Sequence, residues 1–240
     1  MLRKITIILL VFYWPGLFIL AHIPIPQSVR EAGVSDKSLH LFAYLILVFL
    51  FWFAVSGDKK VSWRRGTVWW VLSIIVMYAI FDEWLQGRMP GRSCDVRDFF
   101  ADMAGTLTGL ILFSYFSFWP AGLLVAGTVI FGITNIARTN LADFLPVTNT
   151  AFHLFGYAIF TTLWIQNMQL LLPTIRLRGT KFKWLIASLA APTVLLFTVK
   201  LFSVILGKGF PAKDVIIAVI AIATVVVITY MASSLGRRQE

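Results

Sequence analysis

The stretch Asp82–Gly109, DEWLQGRMPGRSCDVRDFFADMAGTLTG, decides how this chain folds. It sets Asp82, Glu83, Arg88, Arg92, Asp95, Arg97, Asp98 and Asp102 between two strongly apolar segments. Charge at the edge of an apolar span is costly, so a cluster of ionisable residues there points to a functional site. The bland alternative is a set of charge pairs that locks helix ends without chemistry.

The composition around this stretch is that of a membrane protein. Of 240 residues, 59% are hydrophobic and 13% charged, and the mean hydropathy is +0.84. A soluble domain is about half apolar and about a quarter charged. No polar run is long enough to fold an aqueous catalytic domain, and no segment shows the alternation of a membrane strand, which excludes a β-barrel. The fold class is therefore all-α, a polytopic bundle with the lipid bilayer as its first partner. The net charge of +10 does not indicate nucleic acid, because Lys and Arg sit in short loops, where cytoplasmic anchoring requires them. The single cysteine, Cys94, permits no intrachain disulfide and reads as a small loop residue.

A helical span needs about 20 largely apolar residues. Eight segments fit: 5–22, 38–56, 67–86, 99–118, 121–137, 151–172, 184–206 and 215–235. The first follows Arg3 and Lys4 but is too long for a signal peptide and reads as an uncleaved span. The fourth and fifth are separated only by FWPAG, a tight turn around Pro120. Lys59, Lys60, Arg64, Arg65, Arg176, Arg178, Lys181 and Lys183 fall in alternate loops with few acids, whereas the cations of the other loops are mixed with Asp and Glu. The positive-inside rule then puts both termini in the cytoplasm and Asp82–Asp102 outside.

The chain also repeats itself. HLFAY at His40–Tyr44 recurs as HLFGY at His153–Tyr157, each at the outer start of a second span; Asp36 then aligns with Asn149, and Asp98 lies near Asp214. The expected organisation is two four-helix halves, 1–118 and 119–240, as parallel repeats about an axis along the membrane normal.

Polar stripes on three consecutive helices converge at the outer end. Asp36, His40 and Tyr44, with Lys37 beside them, follow a four-residue spacing along one face of the second helix. Asp82, Glu83 and Gln86 end the third. Asp98, Asp102, Gly105 and Gly109 run down the fourth, entered through Arg92 and Asp95. Asp36, His40, Asp82, Glu83 and Asp98 are the candidate catalytic residues. Lys37, Tyr44, Gln86, Arg92, Asp95 and Asp102 are the candidate binding residues. Carboxylates with an imidazole suit either a divalent cation, with Glu83, Asp95 and Asp98 as candidate ligands, or acid/base work by Glu83 and His40. Arginine forks at Arg88 and Arg92 suit phosphate or carboxylate. The small residues Ala101, Gly105 and Gly109 read as a close helix contact. Lys200, inside the seventh span, either snorkels to the surface or pairs with an Asp of the first half.

Asp36-Lys37-x-x-His40-x-x-x-Tyr44, Asp82-Glu83-x-x-Gln86 and Pro90-Gly91-Arg92-x-x-Asp95-x-x-Asp98-x-x-Ala101-x-x-x-Gly105-x-x-x-Gly109 together resemble the VanZ-like family over residues 1–118. Asp102 departs from the pattern, where Asn is usual. The second half resembles a worn copy that keeps His153 and Tyr157 but no Asp-Glu-x-x-Gln. The resemblance implies a bacterial inner or cytoplasmic membrane, an outward-facing polar site and a link to teicoplanin resistance. It implies no reaction. The expected function is binding or modifying an amphiphilic envelope substrate, such as a lipid-linked glycan or a lipoglycopeptide. A metal- or acid/base-assisted transferase or hydrolase, a small transporter and an envelope scaffold are the alternatives.

Overall fold

Each apolar run forms an α-helix. The computed structural model describes residues 2–22, 36–89, 94–136, 146–171 and 181–236. Eight helices and no strand occur among them: α1 (Leu2–His22), α2 (Asp36–Ser56), α3 (Gly66–Gln86), α4 (Val96–Tyr115), α5 (Phe118–Asn135), α6 (Pro146–Leu171), α7 (Lys181–Ile205) and α8 (Ala212–Gly236). Among the described residues six helices are long and apolar enough to cross a membrane. The other two are α4 and α6. In α4 the loss of hydropathy comes from the same Arg97, Asp98 and Asp102 that mark the polar stretch.

Large apolar side chains face outward along these helices. Phe12 is 75% exposed, Trp70 70% and Phe197 68%, which calls for a lipid environment rather than water. Lipid is as apolar as leucine, so it supplies little drive for helices to associate; close packing and buried polar contacts must do so.

The contacts divide the chain into two units. The first holds α1–α4 and the opening of α5 as far as Val125; the second holds the remainder of α5 with α6–α8.

In the first unit α4 packs chiefly on α2. Glycines allow it: a Cβ on Gly105 would stand 2.2 Å from the Leu41 carbonyl oxygen, and one on Gly109 would stand 2.5 Å from Val48 Cγ1. Helix α1 docks on α2 through Tyr13 Oη, which donates to the Ala43 carbonyl (2.9 Å), and Arg3 Nε, which donates to the Ala54 carbonyl (3.0 Å). One end of the unit is an aromatic knot in which Phe49, Phe53, Phe113 and Phe118 meet at centroid distances of 5.1–5.7 Å. At that end Gly57 closes α2 in the left-handed region (φ 70°), a conformation glycine adopts without steric cost. Asp58 then accepts the Phe118 amide at 2.8 Å, and the Val61 amide donates to the Phe113 carbonyl at 2.9 Å. The junction of α4 and α5 is the pair Phe116–Ser117, three to four residues earlier than a turn centred on Pro120. Pro120 falls in the first turn of α5, where its missing N–H would have had no helical partner.

In the second unit α8 packs chiefly on α6. Gly207 (φ 64°) ends α7 as Gly57 ends α2. The Lys200 ammonium donates to the Phe210 carbonyl and lies 5.5 Å from the centre of the Phe210 ring. Its described partner is thus the backbone of its own unit, not an Asp of the first half.

Candidate functional site

The end of the first unit opposite the aromatic knot gathers the polar residues. It is formed by the last turn of α1, the first turns of α2, the last turn of α3 and the first turns of α4. Buried there are His22, His40, Asp82, Glu83, Gln86, Asp98 and Asp102, none more than 9% exposed.

Helix geometry explains the convergence. On α3, Asp82 and Gln86 are one turn apart, and Gln86 Nε2 donates to Asp82 Oδ2 at 2.7 Å. On α4, Asp95 is the N-cap: its side chain accepts the Arg97 amide at 2.9 Å, satisfying a donor that the helix leaves unpaired. That amide holds the half-buried Asp95 carboxyl below the usual aspartate range, and Lys37 adds to the effect. The Asp95 backbone N–H turns inward and donates to Glu83 Oε2 at 3.1 Å, tying α3 to α4. Lys37 on α2 reaches Asp95 Oδ2 at 3.3 Å and Asp98 Oδ1 at 3.5 Å. His40 Nδ1 stands 2.9 Å from Asp102 Oδ1. With Asp102 ionised and the imidazole neutral, the carboxylate can only accept, so Nδ1 carries the proton and the lone pair is on Nε2.

Several oxygens in this cluster have no hydrogen-bond partner: Glu83 Oε1, Asp102 Oδ2 and Tyr44 Oη. Burial of a carboxylate oxygen or a hydroxyl without a donor or cation costs free energy, so such atoms mark where a ligand would be favourable. One donor atom from each of His40, Glu83 and Asp98 falls within 4.8 Å of the others.

Nine of the expected site residues are brought together: Lys37, His40, Tyr44, Asp82, Glu83, Gln86, Asp95, Asp98 and Asp102. Asp95 serves as helix cap and Lys37 partner at the rim, and the donor set that closes on one point has His40 beside Glu83 and Asp98. Arg92 and the side chain of Asp36 lie outside the described residues. Arg88 points elsewhere: its guanidinium lies over the Trp84 ring, 3.4 Å from the centroid.

Two members were missed from the sequence. His22, at the end of α1, lies with Nδ1 3.8 Å from Asp82 Oδ1 while donating from that nitrogen to the Phe18 carbonyl at 2.7 Å. Tyr78 stacks on Tyr44 at 6.0 Å, one turn below Asp82. A histidine closing an otherwise apolar span was the available signal for the first. Nothing distinguished Tyr78 from an interfacial aromatic. Tyr78 also borders an apolar groove of about 550 Å³ lined by Leu10, Val11, Trp14, Pro15 and Phe18.

The polar end offers acceptors for a cation, an imidazole set in one tautomer and a lysine at the rim. Chemically it can bind a metal or a cationic group, or move a proton between Glu83 and His40. No curated protein and no solved structure matches the chain. The VanZ/LLP1 family model matches residues 5–119, a stretch that contains α1 from Ile5 onward, α2–α4 and every residue of this polar cluster. The first half of this multi-pass membrane protein is therefore a VanZ-like unit.

Proposed function

We propose that this VanZ-type membrane protein of the bacterial envelope binds the polar head of an amphiphile in the α1–α4 cluster. The observation that carries the reading is the adjacency of two unlike surfaces. Buried carboxylates and histidines from four helices meet at one end, and the apolar groove between α1 and α3 shares Tyr78 with them, one turn from Asp82. A headgroup would lie among Lys37, His40, Glu83 and Asp98, and an acyl chain would lie along Leu10, Trp14 and Phe18. A lipid-linked glycan or a lipoglycopeptide such as teicoplanin has this division into polar and apolar parts. The distribution of Lys and Arg supports an inner-membrane protein with both termini in the cytoplasm and this cluster facing outward.

The second unit is read as a duplicate that kept its packing and lost its acids. In support, His153 Nε2 stands 3.9 Å from Asp214 Oδ2, again a histidine of the HLF-x-Y motif facing an aspartate of the helix it packs on. A transferase or hydrolase reading is favoured by one further observation, the approach of Glu83 to the tautomer-fixed His40. In that reading Glu83 and His40 exchange protons with the bound head.

The test is conservative substitution, His40→Gln, Glu83→Gln and Asp98→Asn, scored for teicoplanin susceptibility or envelope integrity and, separately, for protein abundance. Loss of phenotype at full abundance is expected. Parallel loss of both would reduce the cluster to a structural lock.

A further inference from the structure

We propose that His40, Glu83 and Asp98 bind a divalent transition-metal cation, with Asp102 orienting the His40 ring. The inference rests on the reading that this end of the unit is a site, and it names what the site holds.

Three observations carry it. The first is geometric: ligand atoms held about 2.0–2.6 Å from one ion must lie within roughly 5 Å of each other, and the three donors satisfy this at 4.8 Å. They come from α2, α3 and α4, and the glycine contact of α4 on α2 limits how far they can drift apart.

The second is the outer shell. Metal-bound histidines usually donate their other N–H to a carboxylate, which sets the tautomer and raises ligand basicity. His40 Nδ1 at 2.9 Å from Asp102 Oδ1 is that arrangement, and with Nδ1 so engaged Nε2 is the nitrogen that would ligate. Asp102 is 0% exposed, so its charge is poorly screened by water.

The third is independent of both. Glu83 Oε1 is buried without a hydrogen-bond partner, although the residue is only 4% exposed and its Oε2 is held by the Asp95 amide. The orphan oxygen belongs to one of the three donors. At the rim of the same cluster Lys37 Nζ lies 3.5 Å from Asp98 Oδ1.

The ligand types select the metal class. Mg²⁺ and Ca²⁺ prefer oxygen throughout, whereas one imidazole with two carboxylates suits Mn²⁺, Fe²⁺ or Zn²⁺. Such an ion would present a positive centre to a phosphate or carboxylate head.

The experiment uses the full-length protein in detergent, stripped with EDTA and titrated with Mn²⁺, Zn²⁺, Mg²⁺ and Ca²⁺. Binding of one Mn²⁺ or Zn²⁺ is expected, at least about tenfold tighter than Mg²⁺ or Ca²⁺. Glu83→Gln and Asp98→Asn keep the side-chain shape and should weaken it by more than the about 10–100-fold that an outer-shell change costs. Asp102→Ala should fall within that outer-shell range, and Asp102→Asn should recover most of the loss, because an amide oxygen still accepts from Nδ1. Melting temperatures of the stripped variants control for folding. Pulsed EPR of the Mn²⁺-loaded parent should show a nitrogen coupling from His40, a readout that needs no variant. No binding by the parent, no nitrogen coupling, or parental affinity in Glu83→Gln and Asp98→Asn would overturn the proposal. Metal binding without any amphiphile binding leaves this inference standing and removes the proposed function. Amphiphile binding that persists in EDTA, with no metal bound, does the reverse.

Discussion

Each unit buries a histidine beside an aspartate, and the two differ in what surrounds that pair. In each, a histidine of HLF-x-Y is buried on one helix and faces an aspartate of the helix packed against it: His40 with Asp102 in the first unit, His153 with Asp214 in the second. In each, the tyrosine one turn later is buried with its hydroxyl unpartnered, Tyr44 and Tyr157. The third helix separates them. Helix α3 brings Asp82, Glu83 and Gln86 to the histidine, whereas α7 brings Lys200, which is occupied by the Phe210 carbonyl. In the second unit Asn149 Nδ2 donates to Asp214 Oδ2 at 2.9 Å, so the aspartate is satisfied by an amide. Among the described residues, donors that could share a metal occur only in the first unit. A buried His–Asp contact is thus compatible with a purely structural role, and the neighbouring carboxylates are what make the first unit a candidate for chemistry.

The sharpest way to break this comparison is through the glycines. Gly105→Ala would drive a Cβ into the Leu41 backbone, which cannot yield without moving α2 off α4. The expected cost is about 3 kcal/mol or more, at or beyond the upper end of ordinary overpacking. Gly156→Ala in the second unit would meet only Ile130 Cγ1 at 3.3 Å, a side chain that can shift, and should cost about 1 kcal/mol or less. Thermal unfolding in detergent measures both, and equal losses would remove the distinction between the two crossings.

A functional contrast comes next. Glu83→Gln should abolish the envelope phenotype with little change in abundance. Asp214→Asn should leave the phenotype and lower stability by about 1 kcal/mol through its contacts with Asn149 and His153. A phenotype from Asp214→Asn as severe as that from Glu83→Gln would give the second unit a site of its own.

Lys200→Leu is a smaller perturbation. It deletes the bond to the Phe210 carbonyl and the approach to the Phe210 ring. A loss of about 1 kcal/mol is expected, with the first unit's metal affinity unchanged. A Lys200→Leu protein that melts at the parental temperature would show that the contact stabilises nothing.

The smallest effect concerns the cap of α4. The Asp95 carboxyl is held below its ordinary range, so its folded-state contribution is complete above about pH 4, the usual aspartate value, and is lost as pH falls through the depressed one. Asp95→Ala should therefore lower the melting temperature slightly at neutral pH, and the gap to the parent should close in acid. A gap that widens in acid would contradict the assignment of this cap.

Much of this was legible because membrane helices announce themselves: apolar runs of span length, interrupted by charge, allow few structures. The polar stripes of α2, α3 and α4 were legible for the same reason, since helical periodicity fixes which residues share a face. Periodicity does not say which neighbour that face meets. His22 stood out in the sequence only as a histidine closing an apolar span, and its helix ends in the cluster only because α1 docks on α2 through Tyr13 and Arg3. Asp95 and His40 could not be ranked as ligands from spacing, because one is turned to the rim by its capping role and the other is turned inward by Asp102.

Sequence alone determined that the chain is a helical membrane protein and that its charge is concentrated at the ends of α3 and α4, because lipid tolerates neither unpaired backbone nor stray charge. Tertiary structure decided that His40, Glu83 and Asp98 share one point, that Asp102 stands behind the imidazole and that Lys200 turns to its own loop. The rotation of each helix is set by packing across helices, and the contact of Gly105 with the Leu41 carbonyl is where that packing is tightest.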